Sequence, residues 1–171
     1  MVEAFGGVEE RLLAFPVERE IGVAAAQDEH TLDAVVMAAR DGLVEPVLVG
    51  DEEKIRQLLK ELDFDPAGAE IIHVPDPVEA AQKVADLVRA GELDCVMKGK
   101  IETGPLMKVM VNREHGIRRK DTMSLVGFID SPYYHKVFGV TDVGLLTYPD
   151  TGQKVAAIAN AAAAFRALGT E

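Results

Sequence analysis

One pattern recurs four times in the first hundred residues of the chain. A short apolar run is followed by a segment whose apolar residues return at helical spacing, and turn residues then intervene. Glu20 to Ala26 (EIGVAAA) reads as a strand, and Asp28 as the cap of a helix with Leu32, Val35, Val36 and Ala39 on one stripe. Gly42 stops that helix. Pro46 to Gly50 (PVLVG) is a second strand, followed by the stripe Ile55, Leu58, Leu59 and Leu62. Ala69 to Val74 makes a third. Asp76-Pro77 then opens a helix with Ala81, Val84, Ala85 and Val88, closed by Gly91. Leu93 to Met97 is expected to be a fourth, buried strand. The implied class is α/β, a three-layer, mostly parallel sheet with helices on both faces.

After Asn112 the pattern loosens. Thr122 to Ile129 and Val137 to Thr141 read as strands around a Ser131-Pro132 turn, and an Ala-rich helix runs from about Thr151 to Leu168. The expected organisation is an N-terminal α/β domain over residues 1–115 and the beginning of a second, incomplete domain over 116–171, or else a single compact domain.

Composition narrows the setting. Hydrophobic residues make up 48% of the 171, with no Trp, so Ala, Val, Leu, Ile and Met must build the core. Cys95 is the one cysteine and cannot form an internal disulfide, which fits a reduced, cytoplasmic compartment. The start MVEAFGGVEERLLAF lacks the basic region and long apolar core of a signal peptide. No apolar run approaches the roughly 20 residues of a membrane span. A net charge of −11 argues against nucleic acid. Yet the window Lys98 to Lys120 holds seven cations (Lys98, Lys100, Lys108, Arg113, Arg118, Arg119, Lys120) against Glu102 and Glu114. Such asymmetry can focus a small anion on an acidic protein.

Ligands of open α/β sheets bind beyond the carboxyl ends of the strands. Lys98-Gly99 falls at such an end, in the stretch CVMKGKIETGP. Gly99 permits close approach of the backbone, Thr103 can cap the following helix, and Pro105 suits its first turn. Free amides at a helix start beside a lysine make a phosphate cradle. A lysine ending a buried strand also needs a partner. Neither G-x-x-x-x-G-K-[ST] nor G-x-G-x-x-G is present where it would be needed. The four histidines lack metal-ligand spacing, and there is no G-x-S-x-G elbow.

Four segments in order resemble one family. They are VAAAQDEHTLDAVVMAARDGLVEPVLVGDEEKI, VMKGKIETGPLMKVM, GIRRKDTMSLVGF and TDVGLLTYPD. The chain resembles the N-terminal part of the phosphate acetyl- and butyryltransferases, closest to the butyryl branch, whose fold is related to isocitrate dehydrogenase. The resemblance implies reversible transfer of a short acyl group between coenzyme A and inorganic phosphate. Coenzyme A would be a substrate, with no permanently bound cofactor and no metal. It implies that Lys98, Gly99, Thr103, Lys108 and Arg118 contact the coenzyme or phosphate, and that Ser124 and Asp142 serve catalysis. It further implies a homo-oligomer, or completion by a second chain, because family members are much longer and carry a C-terminal half. Leu146 stands where the family usually has Asn.

A structural reading stands beside each assignment. Thr103 can be a plain helix cap, Ser124 a small core residue in a strand, Asp142 a turn-fixing residue, and Arg118 with Arg119 and Lys120 an exposed basic loop. A non-catalytic coenzyme A or acyl-phosphate binding subunit of a larger complex is the alternative to an enzyme, and a purely structural partner is a third.

Overall fold

A computed structural model describes residues 19–168, and the amino-terminal stretch read above for a signal peptide lies outside them. The chain divides by mutual contact into two compact units that part between Arg118 and Arg119.

The first unit is built on a four-stranded parallel sheet: β1 (Glu20–Ala24), β2 (Glu45–Gly50), β3 (Glu70–His73) and β4 (Cys95–Lys98). Its order is β3-β2-β1-β4. The intervening helices are α1 (Glu29–Arg40), α2 (Glu52–Glu61) and α3 (Pro77–Ala90), with α4 (Thr103–Met110) after β4. The caps are those the residues announce. Asp28 accepts the amide of Thr31 at 3.0 Å, and Asp76 accepts those of Val78 and Glu79 at 2.9 Å each. Gly42 and Gly91 end α1 and α3 with φ of 71° and 81°, in the left-handed region that disfavours a Cβ.

Strand alternation sorts the core into two layers. Val23 and Leu48 face α1 and α2, where Leu32, Val35, Val36, Ile55 and Leu59 are buried. Ala24, Val47 and Val49 face α3 and α4, against Ala81, Val84, Ala85, Leu106 and Met110. Helices therefore cover both faces, as the sequence implies.

Two expectations are corrected here. The fourth strand is not buried: β4 has only β1 beside it in the sheet, and Cys95 and Lys98 at its two ends are exposed. An apolar run cannot announce whether its strand will be central or at an edge. In the second unit the strands are shorter than read, β5 (Gly127–Ile129) pairing antiparallel with β6 (Phe138–Val140). The residues before β5 spend their polar groups elsewhere. Asn160 binds the Thr122 carbonyl at 3.2 Å, and the Leu125 amide reaches Asp142 at 2.8 Å, so neither joins a ladder. Helix α5 (Thr151–Ala167) opens with a capping box formed by Asp150 and Gln153. Phe165 packs edge-on against Phe128, ring centres 4.9 Å apart.

Leu48 is fully buried in the middle of β2, so Leu48→Ala is expected to cost about 2–5 kcal/mol. Met37→Ala, on the exposed side of α1, is expected to change stability by less than about 0.5 kcal/mol. Urea unfolding curves on the two variants check the contrast.

Candidate functional site

The sheet order changes direction between β1 and β4, the place where an open α/β sheet leaves a crevice at its carboxyl edge. A hollow of about 550 Å³ lies there. Asp28 and Thr31 line it from the start of α1, Pro77 and Val78 from the start of α3, and the segment from Lys98 to Glu102 with Pro105 from the loop into α4.

Backbone hydrogen bonds fix this loop. Gly99 donates to the Ala24 carbonyl at 2.9 Å and Lys100 to the Ala25 carbonyl at 2.8 Å. A Cβ on residue 99 would sit against the carbonyl of Ala25 and 2.7 Å from that of Ala24. The end of β1 therefore demands the glycine, whatever a ligand requires. Lys98 is exposed, and its Nζ donates to the Gly99 carbonyl at 3.2 Å, so it carries no buried, unpaired charge. The desolvation reason for singling it out does not hold; its position on the hollow does.

Thr103 is not the cap of α4. Glu102 occupies that position and its side chain caps nothing, while Thr103 is the first helical residue and exposed. The start of α4 thus faces the hollow without a side-chain acceptor on its first amides. Two carboxylates offset the lysines of the hollow, Glu102 and Asp28. Asp28 is already committed. The hydroxyl of Thr31 at 2.7 Å, then its amide, hold the Asp28 carboxyl below its ordinary range. The charges of His30 and Lys100 assist and burial opposes.

The remaining candidates lie elsewhere. Lys108 sits exposed in the last turn of α4, where a cation faces the negative end of the helix. Arg118 is half-buried at the end of the first unit and already engaged. Ser124 and Asp142 fall together in the second unit, joined through Leu125. Ser124 is half-buried but lies outside any strand. Its Oγ accepts from Asn160 Nδ2 at 2.9 Å, and the same nitrogen donates to the Thr122 carbonyl. A carbonyl can only accept, so this bond fixes the orientation of the Asn160 amide. The Ser124 hydroxyl consequently keeps its hydrogen to donate. Asp142 binds the amides of Leu125 at 2.8 Å, Gly144 at 2.9 Å and Leu145 at 2.8 Å. Burial pushes its carboxyl up, but the amides of Gly144, Leu145, Leu125 and Leu146 outweigh that and hold it below the ordinary value.

Sequence reasoning missed Asn160 as a partner of Ser124, and it took Asp28 only as a cap. Asn160 carries the one visible signal, a polar amide in the middle of an Ala-rich helix. Among the described residues no three His, Cys, Asp or Glu side chains converge as a metal site requires.

The fold is an open α/β sheet with a hollow at its switch point. No family model matches the chain. It is 37% identical over 153 residues to a phosphate acetyltransferase of Thermotoga maritima, spanning 90% of this chain and 52% of that protein. It is 32% identical over 171 residues to a phosphate butyryltransferase of Clostridium beijerinckii, spanning 100% and 56%. A solved branched-chain phosphotransacylase from Enterococcus faecalis shares the fold with a TM-score of 0.76 at 22% identity, over 89% of this chain and 52% of its own. The chain is homologous to the phosphate acetyl- and butyryltransferases, and it spans about half the length of these relatives.

Two variants test the local geometry. Gly99→Ala is expected to destabilise the protein by about 1–3 kcal/mol, because the β1 carbonyls cannot retreat from the new methyl; thermal melts measure it. Asp142 has a depressed folded pKa, so its stabilisation is present above the ordinary value of 3.8 and is lost as pH falls through the folded pKa. Asp142→Ala should therefore be less stable than the parent at pH 7. In urea titrations across the acid range, the two should converge as pH drops below the ordinary value.

Proposed function

We propose that this chain works as part of a phosphotransacylase, interconverting acyl-CoA plus phosphate with acyl phosphate plus coenzyme A. The observation that carries this reading is its homology to phosphate acetyl- and butyryltransferases along nine-tenths or more of its length. In one direction the coenzyme thiolate attacks the acyl carbon of the acyl phosphate. A carbon–sulfur bond forms as the carbon–oxygen bond to phosphate breaks, and phosphate departs with the electron pair. The reverse step has a phosphate oxygen attack the thioester carbon and expel the thiolate.

Such a reaction needs cations for phosphate and donors for the oxyanion that develops on the carbonyl. Lys98 and Lys100, with the uncapped start of α4 at Thr103, supply charge and amides on the hollow. Gly99 lets that loop lie against β1. Arg118 and Lys108 add cationic charge for the coenzyme or phosphate. Ser124, its hydrogen left free by Asn160, donates to a phosphate or acyl oxygen. Asp142 acts by holding its loop through backbone amides rather than by moving a proton. Coenzyme A is a substrate in this scheme, not a resident cofactor. We place the reaction in the cytoplasm, in a homo-oligomer or an assembly completed by a second chain. Residues 116–171 are then the beginning of a second domain. No helix among the described residues is long and apolar enough to cross a membrane.

Two measurements test the reading. Calorimetry with coenzyme A is expected to give binding that Lys98→Ala weakens by about tenfold, the scale of one charge-assisted contact. Unchanged affinity would remove Lys98 from the site. A thioester-forming assay with acetyl or butyryl phosphate, with and without the half of a relative that the chain does not span, is expected to show turnover. Its absence in both conditions would overturn the activity.

A further inference from the structure

Helices α3 and α4 both begin at the hollow on the carboxyl edge of the sheet, and they treat their first amides differently. In α3 none is left over. Pro77 has no N–H, the Asp76 carboxylate accepts the amides of Val78 and Glu79 at 2.9 Å each, and the Asp76 carbonyl accepts that of Ala80 at 2.9 Å. What α3 contributes to the lining is therefore hydrocarbon, the ring of Pro77 and the side chain of Val78. The start of α4 is the opposite, with no side-chain cap and with Lys98 and Lys100 in the segment before it. Val78 stands out in a second way. Among the described residues of the first unit, only Met37 and Val78 are large apolar side chains left exposed, at 56% and 46%. Met37 is not part of the hollow, whereas Val78 is. An exposed apolar side chain in a concavity that also holds cations suits a ligand with an apolar part and an anionic part.

We infer that Val78, with Pro77, is the wall on which the alkyl part of the acyl group lies, while the phosphate end of the same molecule meets Lys98 and Lys100. Val78 then sets how far a longer acyl chain is preferred over a shorter one. The inference rests on the proposed function for the identity of the ligand. A hollow of about 550 Å³ has room for a charged head and a short chain together. The pantetheine arm of the coenzyme suits this wall poorly. Its amides and hydroxyl need polar partners, and the start of α3 has no donor left to give. An alkyl chain has no such need; it gains by leaving water, and the gain grows with each methylene.

The test titrates the 171-residue chain with methyl-, propyl- and pentylphosphonate, stable stand-ins for an acyl phosphate, and reads binding by NMR. Affinity is expected to rise about two- to fourfold for each added methylene, the upper figure corresponding to full burial. Val78→Ala and the similarly shaped Val78→Thr should each cut the rise to below about 1.5-fold per methylene and leave methylphosphonate binding unchanged. Thermal melts of both variants show that the fold is kept, and either one suffices. Lys98→Ala should do the converse, weakening all three ligands by a similar factor of about ten and leaving the rise intact. Met37→Ala should change neither. A rise that survives in the folded Val78 variants, or that Met37→Ala abolishes equally, overturns the inference. So does a flat series in the parent chain, although the cationic site stands if Lys98→Ala still weakens methylphosphonate. A rise that depends on Val78, without thioester formation in the assay above, upholds the apolar wall and counts against acyl transfer. Failure of every phosphonate to bind overturns both the wall and the phosphate site.

Discussion

The carbonyls of Ala24 and Ala25 accept the amides of Gly99 and Lys100, and this crossing of β1 with the loop after β4 organises the first unit. It admits no side chain at residue 99. By clamping the loop against the end of β1, it turns Lys98 and Lys100 onto the carboxyl edge of the sheet, between the starts of α1, α3 and α4. Without it the lysines would be scattered charges on a mobile connection. With it they stand on a rigid rim, where the alignment of helix starts adds to their field.

The hollow is not simply positive: Lys98 and Lys100 share its lining with Glu102 and Asp28. Asp28 is tied to Thr31 in the first turn of α1. The field within the hollow is set by these near groups, since exposed charges farther away are screened within about 10 Å at ordinary ionic strength.

In the second unit, polar bonds and apolar exposure pull in different directions. Asn160 and Asp142 tie together a loop-rich segment around Ser124 with side-chain bonds to backbone and, from Asn160, to the Ser124 hydroxyl. Helix α5, which supplies Asn160 from its inner side, leaves Val155 and Ile158 uncovered on its outer side.

Much of this was legible in the residues. Caps at Asp28 and Asp76, the glycines at 42 and 91, and the apolar stripes of α1 to α3 are local signals, decided within a few residues of chain, and they specified the α/β class. The segments that resemble phosphotransacylases were legible too, because they are runs of sequence. Other features required partners distant in the chain. That β4 is an edge strand depends on the sheet order. That Gly99 answers to Ala24 and Ala25 depends on two segments about 75 residues apart meeting in parallel. That Ser124 belongs to Asn160, and Leu125 to Asp142, shortened a strand the local pattern had made longer. The sequence by itself determined which pieces form and which faces they bury, because propensity, capping and periodicity act locally. Only the tertiary structure decided which strand ends, helix starts and side chains share a space, because that depends on the order in which the pieces pack.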